Sequence, residues 1–156
     1  MSSTATKTFW SKMDNIHVVL LGDGNGDPVP MAPIPREDDG AIWFITSADH
    51  DTYGASVPGT DAKIYVADMG GQLFGTVSGM LTASTDTEKL DDLWTPMAAA
   101  WFEKGRDDPN VRLMKFTPSQ GEVWATDGTI KYLFETIKAN VAETTPDTGE
   151  YHVIKF

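Results

Sequence analysis

The chain has 156 residues, 40% of them hydrophobic, with 23 Asp and Glu against 12 Lys and Arg and a formal net charge of −11. That length and apolar content suit one domain with a single core, and the acidic surface repels polyanions, which argues against nucleic-acid binding. With no cysteine, disulfides, thiolate metal sites and cysteine nucleophiles are excluded.

No stretch approaches the roughly 20 apolar residues of a membrane span, and MSSTATKTFW has neither the basic start nor the apolar run of a secretory signal. The chain reads as a cytoplasmic protein of one domain, 1–156, with no membrane partner. Phe9, Trp10, Met13 and Ile16 fall at helical spacing after a run of threonines and predict a short amphipathic helix lying on the core. IHVVLL (16–21), GDGNGDP and VPMAPIP (29–35) predict strand, turn and strand, with Asn25-Gly26 supplying positive φ. The three prolines of the second strand remove ladder donors, so it is expected at an edge or interrupted. AIWFIT (41–46) completes a second hairpin.

AKIYVAD (62–68) and LFGTVSGMLTA (73–83) predict another antiparallel pair, in which Gly75 and Gly79 mark bending or close approach. Thr85 and Glu88 have capping-box spacing, and Leu90, Leu93, Trp94, Met97 and Trp101 then recur on one helical face. Pro96 should kink or split that helix near Trp94, and Gly105 should end it. VRLMKFT (111–117) and EVWAT (122–126) predict two strands, Ile130 to Val141 a last helix, ETTPDTGE a linker and YHVIKF a closing strand. About seven short strands with helices between hairpins predict an α+β, mainly β, domain built on an antiparallel barrel.

Few signatures of chemistry are present. Asp23, Asn25 and Asp27 alternate as in a calcium loop, but Pro28 and Ile34 occupy the positions where an EF-hand needs glycine and glutamate. His17, His50 and His152 have no second ligand at metal spacing, so no metal is expected. The usual hydrolase and phosphoryl-transfer motifs are absent. The tryptophans remain, with core or interface packing as their ordinary role.

The segment LDDLWTPMAAAWFEKGRDDPNVRLMKFTPSQGEVW resembles the pattern LW…aWF…G…DDP…L…tp…aeyW of the general stress protein 26-like branch of the pyridoxamine 5′-phosphate oxidase-related, FMN-binding split-barrel proteins. MAPI, GAIWFITS and TVSGML resemble further strands of that family, so the likeness runs from about Phe9 to Val141. It implies a six-stranded antiparallel split β-barrel with peripheral helices that forms a homodimer, with a flavin in each of two clefts between the subunits. The implied function is an oxidoreductase-like, flavin-binding stress protein; FMN is the implied cofactor, with FAD or no flavin as alternatives. In that scheme the helix around Trp94 and Trp101 and the GRDDP turn form an insertion at the dimer and cleft edge, and Asp108 is a turn-former rather than a catalyst. Trp101 and Trp124 are the candidates to stack on the ring, because aromatic faces bind a flat polarisable ligand well.

By the same likeness Met31, Ala32, Pro33, Ile34, Trp43, Thr46 and Ser47 line the cofactor site. Flavin-binding relatives carry Arg-Pro-Met in the second strand and a lysine after the WFxT strand. Here Ala32-Pro33-Ile34 stand in the first place, and SADHDTYGAS has no lysine. Losing two charge-assisted phosphate partners costs on the order of 1.5–3 kcal/mol each, so FMN binding should fall by more than about a hundredfold. Arg36, His50 and Lys63 are the nearest substitute cations in sequence. The alternative implied is a non-enzymatic scaffold that no longer holds FMN, or a barrel taking another flat molecule such as a tetrapyrrole.

Overall fold

A computed structural model describes residues 4–70, 72–125 and 150–156. Eight strands form one antiparallel sheet: β1 (Val19–Gly22), β2 (Val29–Met31), β3 (Ile34–Arg36), β4 (Ala41–Ser47), β5 (Thr60–Asp68), β6 (Leu73–Ser84), β7 (Val111–Ala125) and β8 (Glu150–Lys155). Their order is β2-β1-β5-β6-β7-β4-β3, with β8 also on β7. The first and last strands of that path are consecutive in the chain, joined only through Ala32-Pro33. The sheet therefore closes on itself. With β2 and β3 taken as two halves of one interrupted strand, six strands make a split barrel, and β8 flanks it.

The interruption is the one the prolines predict. Pro33 cannot donate a ladder hydrogen bond, and the chain changes neighbour at that point, leaving β1 for β4. Alternation then decides which face each side chain takes. On β5, Ala62, Ile64 and Val66 are buried while Asp61, Lys63, Tyr65 and Ala67 face outward. The interior cluster is Leu21, Ile42, Phe44, Ile64, Leu81, Met114, Phe116 and their neighbours. Helix α1 (Thr4–Met13) adds Phe9, Trp10 and Met13 to it, and the Phe9 ring meets Phe156 edge-on at 5.2 Å. Each such aromatic contributes roughly 1.5–3 kcal/mol by burial.

Gly75 and Gly79 serve close approach as well as curvature. A Cβ on Gly75, whose φ is +147°, would lie 2.1 Å from the Glu122 carbonyl oxygen, and one on Gly79 would lie 2.3 Å from that of Thr117. The β6–β7 register shifts at Ser78/Gly79, a bulge that bends both strands.

Several local expectations are corrected. Gly24, at φ +84°, takes the positive conformation of the β1–β2 turn rather than Asn25-Gly26, because Asp23 Oδ1 accepts the Asn25 N–H and sets the turn earlier. Asp86, not Thr85, caps α3 (Thr87–Leu93): its Oδ1 accepts the Lys89 N–H at 2.9 Å. The helix does split at Pro96, since Thr95 is forced into extended backbone and then caps α4 (Pro96–Ala99). That second helix ends at Ala99 rather than at Gly105, which opens a 3-10 turn. Trp101 thus leaves the buried face and is 80% exposed. The two strands predicted over 111–126 are one continuous β7. The helix predicted from Ile130 to Val141 and most of the linker lie outside the described residues.

Candidate functional site

The site follows from where the barrel splits. β3 pairs with β4 as Ile34↔Trp43, Pro35↔Ile42 and Arg36↔Ala41. Continuing that register would set Ala32 against Ile45 and Met31 against Thr46. Instead β2 pairs with β1, as Val19↔Met31, and beyond Trp43 the β3-side edge of β4 has no strand partner among the described residues. A seam opens between Val29–Met31 and Phe44–Ser47, with Ala32-Pro33 at its apex. An open strand edge presents N–H and C=O groups in a row.

Six of the nine sequence-predicted residues flank this seam: Met31, Ala32, Pro33 and Ile34 on one side, Thr46 and Ser47 on the other. Met31, Pro33 and Thr46 are buried, Ile34 and Ser47 half-buried and Ala32 exposed. Trp43 sits at the closed end, opposite Ile34, and is 4% exposed. It packs on the outer side of the sheet with Leu90 and Leu93 of α3 and with Val111 and Leu113 of β7. The Lys89 and Lys115 ammonium groups lie 5.5 and 5.4 Å from its ring centroid. Trp43 therefore holds the insertion onto the barrel.

Trp101 belongs to neither buried cluster. Trp124 lies on β7 eight residues beyond Phe116, the last partner of β4, which is roughly 25 Å along the strand. Trp101 is exposed, and Trp124 is not brought to the seam of its own chain. The aromatic groups that do pack near it are Trp94 and Phe102, 6.0 Å apart and resting with Ile34 and Ile45 on the Trp43 cluster. The helical period put Trp94 and Trp101 on one face; after the split at Pro96, Trp94 still packs inward, and Phe102 rather than Trp101 packs beside it.

The substitute cations also resolve. His50 Nδ1 accepts the Thr52 N–H at 3.2 Å and so caps α2 (Asp51–Ser56). Arg36 gives one guanidinium N–H to the Pro35 carbonyl at 3.0 Å. Lys63 lies on β5 opposite Gly22, away from the seam. Sequence reasoning passed over Arg112, which register places directly opposite Thr46. Its guanidinium stands 5.9 Å from the Tyr53 ring of α2 and donates to the carbonyls of Pro109 and Val111. Only the strand pairing could reveal it, since 66 residues of chain separate the two positions.

Beside the seam, Asp49 is held below its ordinary carboxylate range, chiefly by the hydrogen bond from the Ser47 hydroxyl. Asp108 accepts the N–H groups of Asn110 and Lys104, at 2.9 and 3.3 Å, as a turn-former should. Set against a flavin, these residues fit the ring better than the phosphate. The slot has an open backbone edge, apolar flanks and two hydroxyls, but one nearby arginine where an Arg–Lys pair would be needed.

Residues 4–147 match the family described as pyridoxamine 5′-phosphate oxidase like. The chain belongs to that family. Its fold is similar to that of a protein from Jannaschia sp. CCS1, provisionally described as general stress protein 26, with a TM-score of 0.86, 38% identity and coverage of 97% of this chain and 98% of that one. A general stress FMN/FAD binding protein from Xanthomonas citri is 31% identical over 78% of this chain and 89% of that one, with a TM-score of 0.69. A provisionally described general stress family protein from Xanthomonas campestris pv. campestris matches at 30% identity and TM-score 0.70, over 82% and 92%. No curated protein matches the chain. Like these relatives, this member of the pyridoxamine 5′-phosphate oxidase like family is a mainly β split barrel. None of its described helices is long and apolar enough to cross a membrane.

Proposed function

We propose that this protein is a flavin-binding, oxidoreductase-like stress protein that acts as a homodimer and holds the ring of FMN along the seam between β2 and β4. The observation that carries the reading is the β4 edge over Phe44–Ser47, which has no strand partner among the described residues. The polar rim of an isoalloxazine carries carbonyls, ring nitrogens and an N–H, and a row of backbone donors and acceptors can satisfy them, while Ile34, Ile45 and the Trp94–Phe102 pair supply apolar surface. The relative from Xanthomonas citri described as FMN/FAD binding supports the ligand class. A bound flavin supplies the electron-transfer chemistry. The chain's own part is to orient the ring, exclude water from its buried edge and offer hydrogen bonds from Thr46 and Ser47.

The phosphate is held weakly in this reading, by the two hydroxyls with Arg112 the nearest cation. On its Pro-Met pair the family's Arg-Pro-Met falls on Val29-Pro30-Met31, three residues before Ala32-Pro33-Ile34, so two positions stand where an arginine could meet the phosphate. Trp101, exposed at the edge of the insertion, and Trp124, roughly 25 Å along β7 from the last partner of β4, serve the dimer and the neighbouring subunit's cleft. One half of the outer face of β7, at Val111 and Leu113, is covered by α3. The other half exposes Trp124 with its neighbours Tyr151 and Val153 at 40%, 49% and 51%, apolar surface of the kind a second copy buries.

Equilibrium dialysis against FMN tests the reading. Near-stoichiometric uptake at saturation, with a shifted visible band, is expected; no uptake would leave the alternative, a split-barrel scaffold without FMN, which the missing arginine and lysine favour.

A further inference from the structure

A second concavity shares no residue with the seam. It has a volume of about 770 Å³ and lies on the outer face of the barrel, where the β1–β2 turn overhangs β5, β6 and β7. That volume is within the range of small-molecule sites, about 300–1,000 Å³.

Its construction is specific. The floor is the β6–β7 bulge, where Gly79 lets two backbones touch and the Ser119 hydroxyl donates to the Ser78 carbonyl at 3.1 Å. The overhang presents little but backbone, because Gly22, Gly24 and Gly26 line it, with the Pro28 ring beside them. Tyr65 and Met80, 38% and 43% exposed, are among its walls. Lys63 and Asp61 stand two residues apart on the same outward face of β5, and neither side chain has an ion pair or hydrogen bond with a described residue. In a chain of net charge −11, an uncommitted ammonium at the wall of a cavity is a local attraction for an anion, while Asp61 disfavours a multiply charged one.

We propose that this cavity is a second binding site, for a small aromatic monoanion. The ring lies against the Tyr65 ring, a favourable partner for a π-face, and the anionic group meets the Lys63 ammonium two residues along the same face of β5; Met80, opposite Asp61 with its thioether toward Gly59, closes the far end of the cavity. The proposal stands whether or not the seam holds flavin.

The test is a titration of the full chain with 2-naphthoate, followed by the amide resonances of Gly22, Gly24, Gly26 and Gly79, with the neutral 2-naphthamide as control. Saturable shifts at those glycines are expected, with naphthoate binding at least fivefold more tightly than the amide. Lys63→Met, an exposed substitution on a strand, should remove that preference and leave the two ligands equal. Tyr65→Ser should weaken both ligands by at least fivefold through the lost stacking surface. Equal affinity of the two ligands for the wild-type chain, no saturable shift at the glycines, or shifts at Thr46 and Ser47 instead would overturn the proposal.

Discussion

Asp39 accepts the indole N–H of Trp43 at 3.0 Å and, on the same Oδ2, the ammonium of Lys89 at 2.8 Å. One carboxylate thus ties the β3–β4 hairpin, the strand below it and the inserted helix α3 to each other. The hydrogen bond from Lys89 holds Asp39 below its ordinary value of 3.8 against the opposing effect of desolvation, and the hydrogen bond from Trp43 adds a smaller lowering. Asp39 in turn raises Lys89. A depressed carboxylate adds stability that is full above its unfolded pKa and is lost as pH falls through the folded one. The stabilisation should therefore persist from neutral pH down to about the ordinary carboxylate range and disappear below it. Its alkaline limb, from Lys89, should fade only as pH rises past the ordinary lysine range.

Replacing Asp39 tests this tie. Asp39→Ala should cost about 1 kcal/mol in urea unfolding near pH 7 and less at a pH where the carboxylate is protonated and only the Trp43 hydrogen bond is at stake. Asp39→Asn, which keeps an acceptor for Trp43, should cost less. A loss that does not change with pH would mean that the ion pair contributes nothing, and equal losses for the two variants that the Trp43 hydrogen bond contributes nothing.

Gly75→Ala and Gly79→Ala should each destabilise the fold by about 3 kcal/mol or more, because the new methyl would collide with backbone rather than with a movable side chain. Gly26→Ala, with open space beside it, should be nearly neutral. Thermal unfolding of the three variants checks the contrast.

Much of the architecture was legible in the sequence because periodicity and proline act locally. VPMAPIP announced an interrupted strand, and the β2/β3 break is found there. Pro96 announced a split helix. What eluded the sequence was any relationship set by pairing. Arg112 next to Thr46 depends on the β4–β7 register, and the burial of Trp43 under α3 depends on an insertion folding back. Trp101 shows the opposite failure, since a helical period carried past Pro96 placed it on an apolar face that ends at Ala99. Six candidate residues of the site converge on the seam because they are consecutive or nearly so on two strands.

Sedimentation velocity should show a dimer at micromolar concentration. Trp124→Glu, which puts a charge into the exposed aromatic half of β7, should shift it toward monomer without changing the unfolding midpoint of the monomer. A wild-type monomer under these conditions would remove the dimer from the account.

Restoring an arginine decides which strand position faces the phosphate. Val29→Arg or Ala32→Arg, whichever is correctly placed, should raise FMN affinity by roughly tenfold and leave riboflavin, which lacks the phosphate, unchanged. A gain from Val29 alone would fix the motif on Val29-Pro30-Met31. Equal gains for FMN and riboflavin would show a general charge effect instead.

The most direct measurement is a fluorescence titration of FMN and of riboflavin with the wild-type chain. If the seam between β2 and β4 holds the ring and the phosphate is held weakly, both flavins should be quenched saturably, at one per chain, with affinities within about tenfold of each other. If neither is quenched as protein rises to millimolar concentration, the seam is not a flavin site.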